Sequence, residues 1–241
     1  LDPTDTRAKI TYAKYRVNSL YFTADFGWKN QVFLNVTGRN DWFSTLSPDN
    51  NSYFYPSVTA SWVFTDSFRE ALPQWFDFGK VRVGYAFASN GTSAYQNLLS
   101  YKVQNYKING VQAATVNTSQ YPNENLKPVR ITEKEVGLNL AFFQNRLNFD
   151  LAYYIKNTKD DIAMITNSSA SGFSSRVVNV GEIENRGFEF MVDATPVKTK
   201  SFMWNTTFNF SVNNSEVKYL GEGVERLAIE GATSRMGSVG V

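Results

Sequence analysis

The sequence contains no cysteine and no histidine among its 241 residues. The absence of cysteine excludes disulfides, thiolate nucleophiles and cysteine-ligated metals. The absence of histidine removes the commonest general base, the Ser-His-Asp arrangement and the commonest transition-metal ligand. An enzyme of this composition would depend on carboxylates, lysine or tyrosine. We therefore expect no catalytic residues, no cofactor and no metal site.

Long apolar runs and a strong net charge are also missing. No run of about 18 or more apolar residues is present, so the sequence predicts no transmembrane helix. The net charge is +2 and the basic residues are scattered, which disfavours nucleic acid as a partner. The first residues, LDPTDTRAKITY, lack the basic-then-apolar order of a signal peptide. The chain is therefore expected to be cytosolic, a mature chain, or a piece of a longer one.

Alternation of apolar and polar residues with period two dominates the sequence, which predicts an all-β, antiparallel fold. We predict about eight strands, at residues 20–28, 32–37, 57–64, 80–87, 132–142, 147–154, 187–194 and 204–212. Their connections alternate between short and long. A polar loop is expected in the middle of residues 35–57, a segment that begins and ends like a strand. Further long polar loops are expected at residues 89–130 and 157–181, with a helical turn at 67–72, a loop from 213, and a ninth strand near the end.

Alternation alone fits two kinds of protein. In a soluble β-sandwich the apolar face lies in the core, whereas in an outer-membrane barrel it faces lipid and the polar face lines a wet lumen. The strands here are long, and tilted strands need about 9–11 residues to cross the hydrocarbon. The alternation of short and long connections matches the short periplasmic turns and long external loops of such barrels.

Aromatic residues fall into two groups that favour the barrel. One group lies beside short turns and the other flanks a long loop, as expected for aromatic girdles at the two membrane interfaces. The first group contains Trp28, Phe142, Phe143, Phe202 and Trp204, and the second contains Trp42, Phe43, Tyr53, Phe54 and Tyr55. The alternative is that these rings form a sandwich core or anchor loops.

Three segments carry a resemblance to a known family. They read FLNVTGRNDWFSTLSPDNNSYFYPSVTASWVFTD, YPNENLKPVRITEKEVGLNLAFFQNRLNFDLAYYIKNTKD and SGFSSRVVNVGEIENRGFEFMVDATPVKTKSFMWNTTFNFSVNNSEV. Together they cover most of the chain, which resembles the barrel of SusC/RagA-type TonB-dependent transporters from Bacteroidetes outer membranes. This resemblance implies a transmembrane β-barrel of roughly 22 strands around an N-terminal plug. It also implies a TonB-contacting segment and a SusD-like surface lipoprotein as a lid.

The chain departs from that family pattern in its extent. Only about eight strands are evident, and neither a plug nor a TonB-contacting segment is seen. We therefore expect residues 1–241 to be part of a single TonB-dependent receptor β-barrel domain, with the plug domain and the terminal strands outside this chain.

Candidate functional residues lie on the predicted lumen face and in the predicted external loops. Aromatic rings flanked by amides and hydroxyls suit sugar rings, and the same mixture suits peptides or a docked protein. The candidates for substrate binding are Arg39, Asp41, Trp42, Asn51, Tyr53, Tyr55, Tyr95, Tyr101 and Tyr106, with Tyr121 as a further loop aromatic. Packing of one loop on another is an equally good explanation for the loop aromatics.

The predicted lumen face also carries charges, which contact substrate or plug, or pair with one another as a hydrated wall. These charges are Arg39, Asp41, Lys80, Arg82, Glu133, Glu135, Asp150, Glu189 and Asp193. We favour the paired wall. The carboxylate pairs Glu133/Glu135 and Glu182/Glu184 have the residue types of glycoside hydrolysis, but this spacing is also common in a barrel wall.

The resulting hypothesis is a nutrient importer of the cell outer membrane, a multi-pass barrel that is surrounded by outer-membrane lipid. It takes up an oligosaccharide or peptide with energy delivered through TonB. The alternative is a soluble or secreted β-sandwich that binds glycans. The two differ in one observable property, because the sandwich buries residues such as Phe22, Leu34, Val83, Leu138 and Phe208, whereas the barrel leaves them on the outside.

Overall fold

The computed structural model describes residues 13–99, 101–116 and 120–220, and the short strand segments 226–227 and 239–240. The strands are β1 Val17–Trp28, β2 Val32–Phe43, β3 Ser52–Val63, β4 Phe76–Asn90, β5 Tyr101–Ile108, β6 Val111–Val116, β7 Gln120–Tyr121, β8 Val129–Phe142, β9 Leu147–Thr166, β10 Ser175–Lys198, β11 Met203–Tyr219, β12 Arg226–Leu227 and β13 Val239–Gly240. One short helix, α1, spans Phe64–Ser67, and a 3-10 turn spans Ser169–Ser171. The first twelve residues lie outside the described part.

Eight of these strands form one continuous antiparallel sheet in the order β1-β2-β3-β4-β8-β9-β10-β11. The two-residue strand β7 pairs in parallel with the start of β10. Within the described residues, β1 pairs only with β2 and β11 pairs only with β10, so the sheet is open at both edges. The eight predicted strands and the antiparallel prediction are confirmed.

The register places apolar residues side by side on one face of the sheet. One row across five strands consists of Val83, Val136, Tyr153, Phe188 and Val212. The side chains of this face, here called the apolar band, point into solvent in the isolated chain. Within the described residues no second sheet covers them, which contradicts the sandwich alternative.

The apolar band is as high as the hydrocarbon core of a membrane is thick. Outward-facing residues are mainly apolar over residues 20–28, 54–62, 147–155 and 204–212, about nine residues on each strand, which is the span of a tilted transmembrane strand. The residues that distinguish the two hypotheses lie on this face, and Phe22 is 56% exposed, Val83 46% and Phe208 58%. Among the described residues, no helix has the length and apolar character needed to cross a membrane.

Aromatic residues gather at the short-turn end of the sheet. Trp75 stacks on Phe142 and Phe143, with ring centroids 5.9 Å apart in both pairs. Trp28 and Trp204 are exposed at the same end. The predicted girdle beside the short turns is therefore present. Such a position suits aromatic rings, because amphipathic rings are stable at headgroup depth.

The helical turn lies three residues earlier than predicted. It occupies Phe64–Ser67, whereas the sequence indicated residues 67–72. The buried hydroxyl of Thr65 explains its position, because Thr65 Oγ1 accepts from Gly79 N at 3.0 Å and lies 3.3 Å from Gly79 O. The turn is thus fixed to the start of β4 by a side chain that local pattern does not reveal.

The predicted loops are shorter than expected because the strands extend above the apolar band. Residues 35–57 contain only an eight-residue turn at 44–51, between β2 and β3. The predicted loop 157–181 is mostly strand, with a turn at 167–174, and β11 continues to Tyr219. In water both faces of a strand are polar, so the alternation that identifies a strand disappears. Most of the region of the predicted ninth strand lies outside the described residues, apart from β12 and β13.

The long segment between β4 and β8 contains a hairpin that we did not predict. Strands β5 and β6 form a separate two-stranded sheet. Asn109 and Gly110 connect them with positive φ angles of 50° and 82°. Both angles suit a type I′ turn, for which Asn-Gly is the preferred pair.

The assignment of the two faces can be tested on β11, where Phe210 faces outward and the adjacent Asn209 faces inward. Replacing Phe210 by arginine puts a charge into hydrocarbon, and we expect Phe210→Arg to destabilise the folded barrel by about 2–4 kcal/mol. The matched variant Asn209→Arg puts the same charge into the lumen and is expected to have a small effect. Urea unfolding of the full-length receptor in lipid vesicles measures both, and equal losses would contradict the assignment.

Candidate functional site

Three of the predicted site residues meet on the inner face of the sheet, near its long-loop end. Asp41 is 4% exposed and accepts a hydrogen bond from Arg39 Nε at 2.8 Å and another from the hydroxyl of Tyr55. Arg39 Nη2 also donates to Ser19 Oγ at 3.1 Å, and the guanidinium lies 5.9 Å from the centre of the Tyr55 ring. We call Arg39, Asp41 and Tyr55 the mouth cluster. Its charges pair with one another, so the Asp41 carboxylate is occupied by contacts within the wall.

Beside the mouth cluster, a small apolar core ties the loops to the sheet. Phe43, Leu46, Leu126 and Val177 are buried together, and Tyr53 packs against them. These residues come from three distant parts of the chain: the end of β2 with the turn after it, the segment before β8, and β10. The upper wall is thus held together by contacts that sequence spacing does not reveal.

Two asparagines fix the segment 121–128 against β10. Asn123 Nδ2 donates to Val177 O at 3.0 Å. Asn179 accepts from Lys127 N and donates to Lys127 O, both at 2.8 Å. Because the amides bond to backbone groups, they extend the attachment to β10 beyond Tyr121, the last residue of β7 that pairs with it as a strand.

A cleft, here called the tip cleft, lies at the Tyr121 end of this segment. It has a volume of about 360 Å³ and is lined by Tyr121, Asn123, Asn167, Ser171, Arg176, Val177 and Val178. The ring of Tyr121 meets that of Phe173 edge to face at 5.2 Å. Phe173 itself lies outside the lining, so the tip cleft combines the Tyr121 ring, amides and a guanidinium, a mixture that can stack on a ligand and bond its polar groups.

The turn that forms one wall of the tip cleft is held by its own hydrogen bonds. Asn167 N donates to Ser174 O at 2.9 Å, and Asn167 Nδ2 donates to Ser171 Oγ at 2.8 Å. Ser171 Oγ donates to Ser168 O at 2.6 Å. Phe173 is therefore held in place and supports the Tyr121 ring before any ligand arrives, which lowers the entropy cost of binding.

The remaining predicted site residues are not gathered at one place. Trp42 shares the outward face of the sheet, so it cannot line the lumen. Asn51 closes the turn 44–51, where Phe43 N donates to its carbonyl oxygen at 2.8 Å. Tyr95 has a positive φ of 67°, and Tyr101 and Tyr106 are exposed on β5.

The predicted pairing of lumen charges is seen in the wall below the mouth. Arg82 lies 3.0 Å from Glu135 through Nε, and 2.9 Å from both Asp150 and Asn139 through Nη1. This cluster crosses β4, β8 and β9 and stabilises the wall between them. Because Glu135 is used in this way and Glu182 and Glu184 lie on the opposite face, the two carboxylate pairs do not converge on one site.

Charges on the outward face above the apolar band are also paired. Lys218 contacts Glu184 at 3.5 Å and hydrogen-bonds to Glu216. This hydrogen bond lowers the pKa of Glu216 and raises the pKa of Lys218. Both side chains are partly exposed, so their pairing marks a surface that meets water or polar headgroups.

Residues 1–234 match the family model described as TonB dependent receptor-like, beta-barrel. TonB-dependent receptor P26 of Formosa agariphila is 29% identical over 226 residues, which cover 91% of this chain and 22% of that protein. TonB-dependent receptor SusC of Bacteroides thetaiotaomicron is 26% identical over 226 residues, covering 90% and 22%. The chain thus spans about a fifth of the length of these relatives.

Two solved structures show the same fold. The RagAB peptide transporter superposes with a TM-score of 0.81 at 22% identity, covering 90% of this chain and 24% of that chain. The outer membrane transporter YddB from Escherichia coli gives a TM-score of 0.62 at 17% identity, covering 89% and 27%. The open sheet is therefore an arc of a larger antiparallel transmembrane barrel.

The role of the mouth cluster can be tested by removing one hydroxyl. Tyr55→Phe takes away a hydrogen bond to the buried Asp41 carboxylate, and we expect it to cost about 1.5–3 kcal/mol of folding stability. Tyr53→Phe is the matched control, since no described residue bonds its hydroxyl. Unfolding of the full-length receptor in vesicles measures both, and a Tyr55→Phe variant as stable as the control would show that the cluster does not hold the wall.

Proposed function

Since the chain belongs to the TonB-dependent receptor-like β-barrel family, we propose that it forms one arc of an outer-membrane nutrient importer. Residues 1–241 belong to a single barrel domain, and the plug and the remaining strands lie outside this chain. The observation that carries the proposal is the sheet with two contrasting faces. An uncovered apolar band as high as the hydrocarbon lies on one side, and a charged, hydrated wall lies on the other.

The imported substrate is an oligosaccharide or a peptide. The tip cleft supports both, because the Tyr121 ring flanked by amides can stack on a sugar ring or pack against a peptide group. A relative of the same fold is named a peptide transporter, which supports the second choice. The Arg176 guanidinium adds a donor for a carboxylate on either kind of ligand.

This arc contributes selectivity and not chemistry. Five of its inward charges are paired with one another in the mouth cluster and the Arg82 cluster: Arg39, Asp41, Arg82, Glu135 and Asp150. The energy for release into the periplasm comes from TonB acting on the plug. Named relatives are receptors and transporters, which agrees with a wall that carries no catalytic group.

A SusD-like surface lipoprotein covers the receptor. The hairpin β5–β6 supports this part of the proposal, because it stands apart from the main sheet and exposes apolar side chains. Tyr101, Val103, Ala114 and Val116 share one face of the hairpin by register, and Val103 is 63% exposed. An isolated two-stranded hairpin is marginally stable in water, so a partner that covers this face would also stabilise it.

Uptake by living cells tests the importer. The full-length receptor is returned to cells from which it was deleted, and entry of a panel of fluorescent oligopeptides and oligosaccharides is measured. We expect entry of at least one of the two classes to require the receptor. We also expect that entry to stop when TonB is removed or a protonophore collapses the proton gradient.

The control is a small solute that enters through porins, whose uptake should not change. Receptor-dependent entry that persists without TonB would contradict the energy-coupled mechanism. No receptor-dependent entry of either class would contradict the proposed substrates.

The lid is tested on the hairpin. Val103→Glu puts a charge on its apolar face and should weaken co-purification of the lipoprotein with the tagged receptor by about tenfold or more, since a buried unpaired charge opposes binding. Lys102→Glu introduces the same residue on the opposite face and should leave co-purification unchanged. Equal retention by the two variants would show that this face is not the docking surface.

A further inference from the structure

The outward face changes character sharply between two neighbouring rows of the sheet. The upper row of the apolar band contains Val83, Val136, Tyr153, Phe188 and Val212. The next row towards the long loops, here called the basic row, contains Tyr85, Lys134, Ile155, Arg186 and Asn214. Two cations and no anion therefore lie directly above side chains that face acyl chains.

The two cations have donors available for a ligand. Lys134 has no carboxylate partner among the described residues, and its ammonium lies 6.0 Å from the centre of the Tyr85 ring. Arg186 pairs with Glu184 through Nε at 2.9 Å and Nη2 at 2.7 Å, and its side chain remains 53% exposed. One strand, at Ile155, separates the two residues, so their backbones are about 10 Å apart.

Directly above the basic row, Glu184 and Glu216 lie side by side and share Lys218, and the charges above them are paired. Lys159 Nζ lies 3.0 Å from Glu182, and Arg130 Nη2 lies 3.1 Å from Asp160. The outward face of β8–β10 thus offers three successive layers: apolar side chains, a row of two cations in which Lys134 has no carboxylate partner among the described residues and Arg186 shares its charge with Glu184, and a polar surface whose charges are paired.

We propose that Lys134 and Arg186 bind the phosphate group of an outer-leaflet glycolipid whose acyl chains lie along the apolar band. The three layers match the acyl chains, the phosphate and the sugars of such a lipid in order. Basic side chains at the edge of the hydrocarbon attract lipid phosphates, and continuity with the lipid-facing band places the headgroup here. This inference rests on the proposed function, because the long-loop end faces the outer leaflet only if the barrel lies in the outer membrane.

Lipid binding by the full-length receptor tests the proposal. The receptor is purified in a mild detergent, and purified lipid A is titrated in while the bound copies are counted by native mass spectrometry. Each cation near a lipid phosphate contributes about fivefold in affinity, so Lys134→Gln and Arg186→Gln should each lose about fivefold and the double variant roughly 25-fold. The charge-preserving double variant Lys134→Arg/Arg186→Lys should bind like the wild type.

Lys156→Gln is the matched control, since Lys156 is next to Ile155 on β9 and faces the lumen. It removes the same charge and should leave lipid affinity unchanged. The shift of the folded barrel on an unheated gel confirms that each variant is assembled. Wild-type affinity in the double variant would overturn the proposal, and so would equal binding of enzymatically dephosphorylated lipid A.

A phospholipid is the other source of the same phosphate. If phosphatidylglycerol binds as tightly as lipid A and shows the same loss in the double variant, the glycolipid assignment is wrong. The result is separable from the importer itself, because lipid binding and ligand uptake are measured independently. Loss of uptake with lipid binding intact would contradict the importer and leave the lipid site standing.

Discussion

The structure depends on one constraint: a backbone that crosses hydrocarbon must satisfy its hydrogen bonds within the protein. The eight long strands do so through a continuous antiparallel sheet, and the two open edges require neighbouring strands for the same reason. The constraint also fixes the side chains. Once the backbone is paired, alternate residues must suit lipid on one side and water on the other, which is the pattern seen from Leu20 to Trp28.

The part of the fold that the sequence predicted is the part that lies in the membrane. There the two faces meet different solvents, so alternation is strong and all eight predicted strands are present. Above the membrane both faces meet water, and the pattern vanishes although the strands continue, as in Ile155–Thr166 of β9 and Ser175–Arg186 of β10. The missed hairpin had a local signal, since Asn109-Gly110 favours a type I′ turn.

The candidate site was less predictable because its residues are brought together by the upper wall. Arg39, Asp41 and Tyr55 could be expected near one another, since they face inward on adjacent strands. Tyr121 and Phe173 could not, because their contact depends on the Asn123 and Asn179 bonds that hold segment 121–128 against β10. Alternation gives the face of a residue but not its partner across a folded loop. For Trp42 the alternation along β2 predicts the outer face correctly. The polar residues around it were misleading, because they suggested a loop.

Two glycines explain how a wall so rich in long side chains leaves space inside the barrel. A side chain on Gly137 would collide with the guanidinium of Arg82, and one on Gly187 would collide with the ring of Tyr154. Because both positions lack a Cβ, Arg82 and Tyr154 lie flat across neighbouring strands and do not project inward. The same arrangement brings Arg82 within reach of Glu135 and Asp150. The ion pairs of Arg82 and the space on the inner side of the wall therefore both depend on the missing side chain at Gly137. A larger residue there would disturb both.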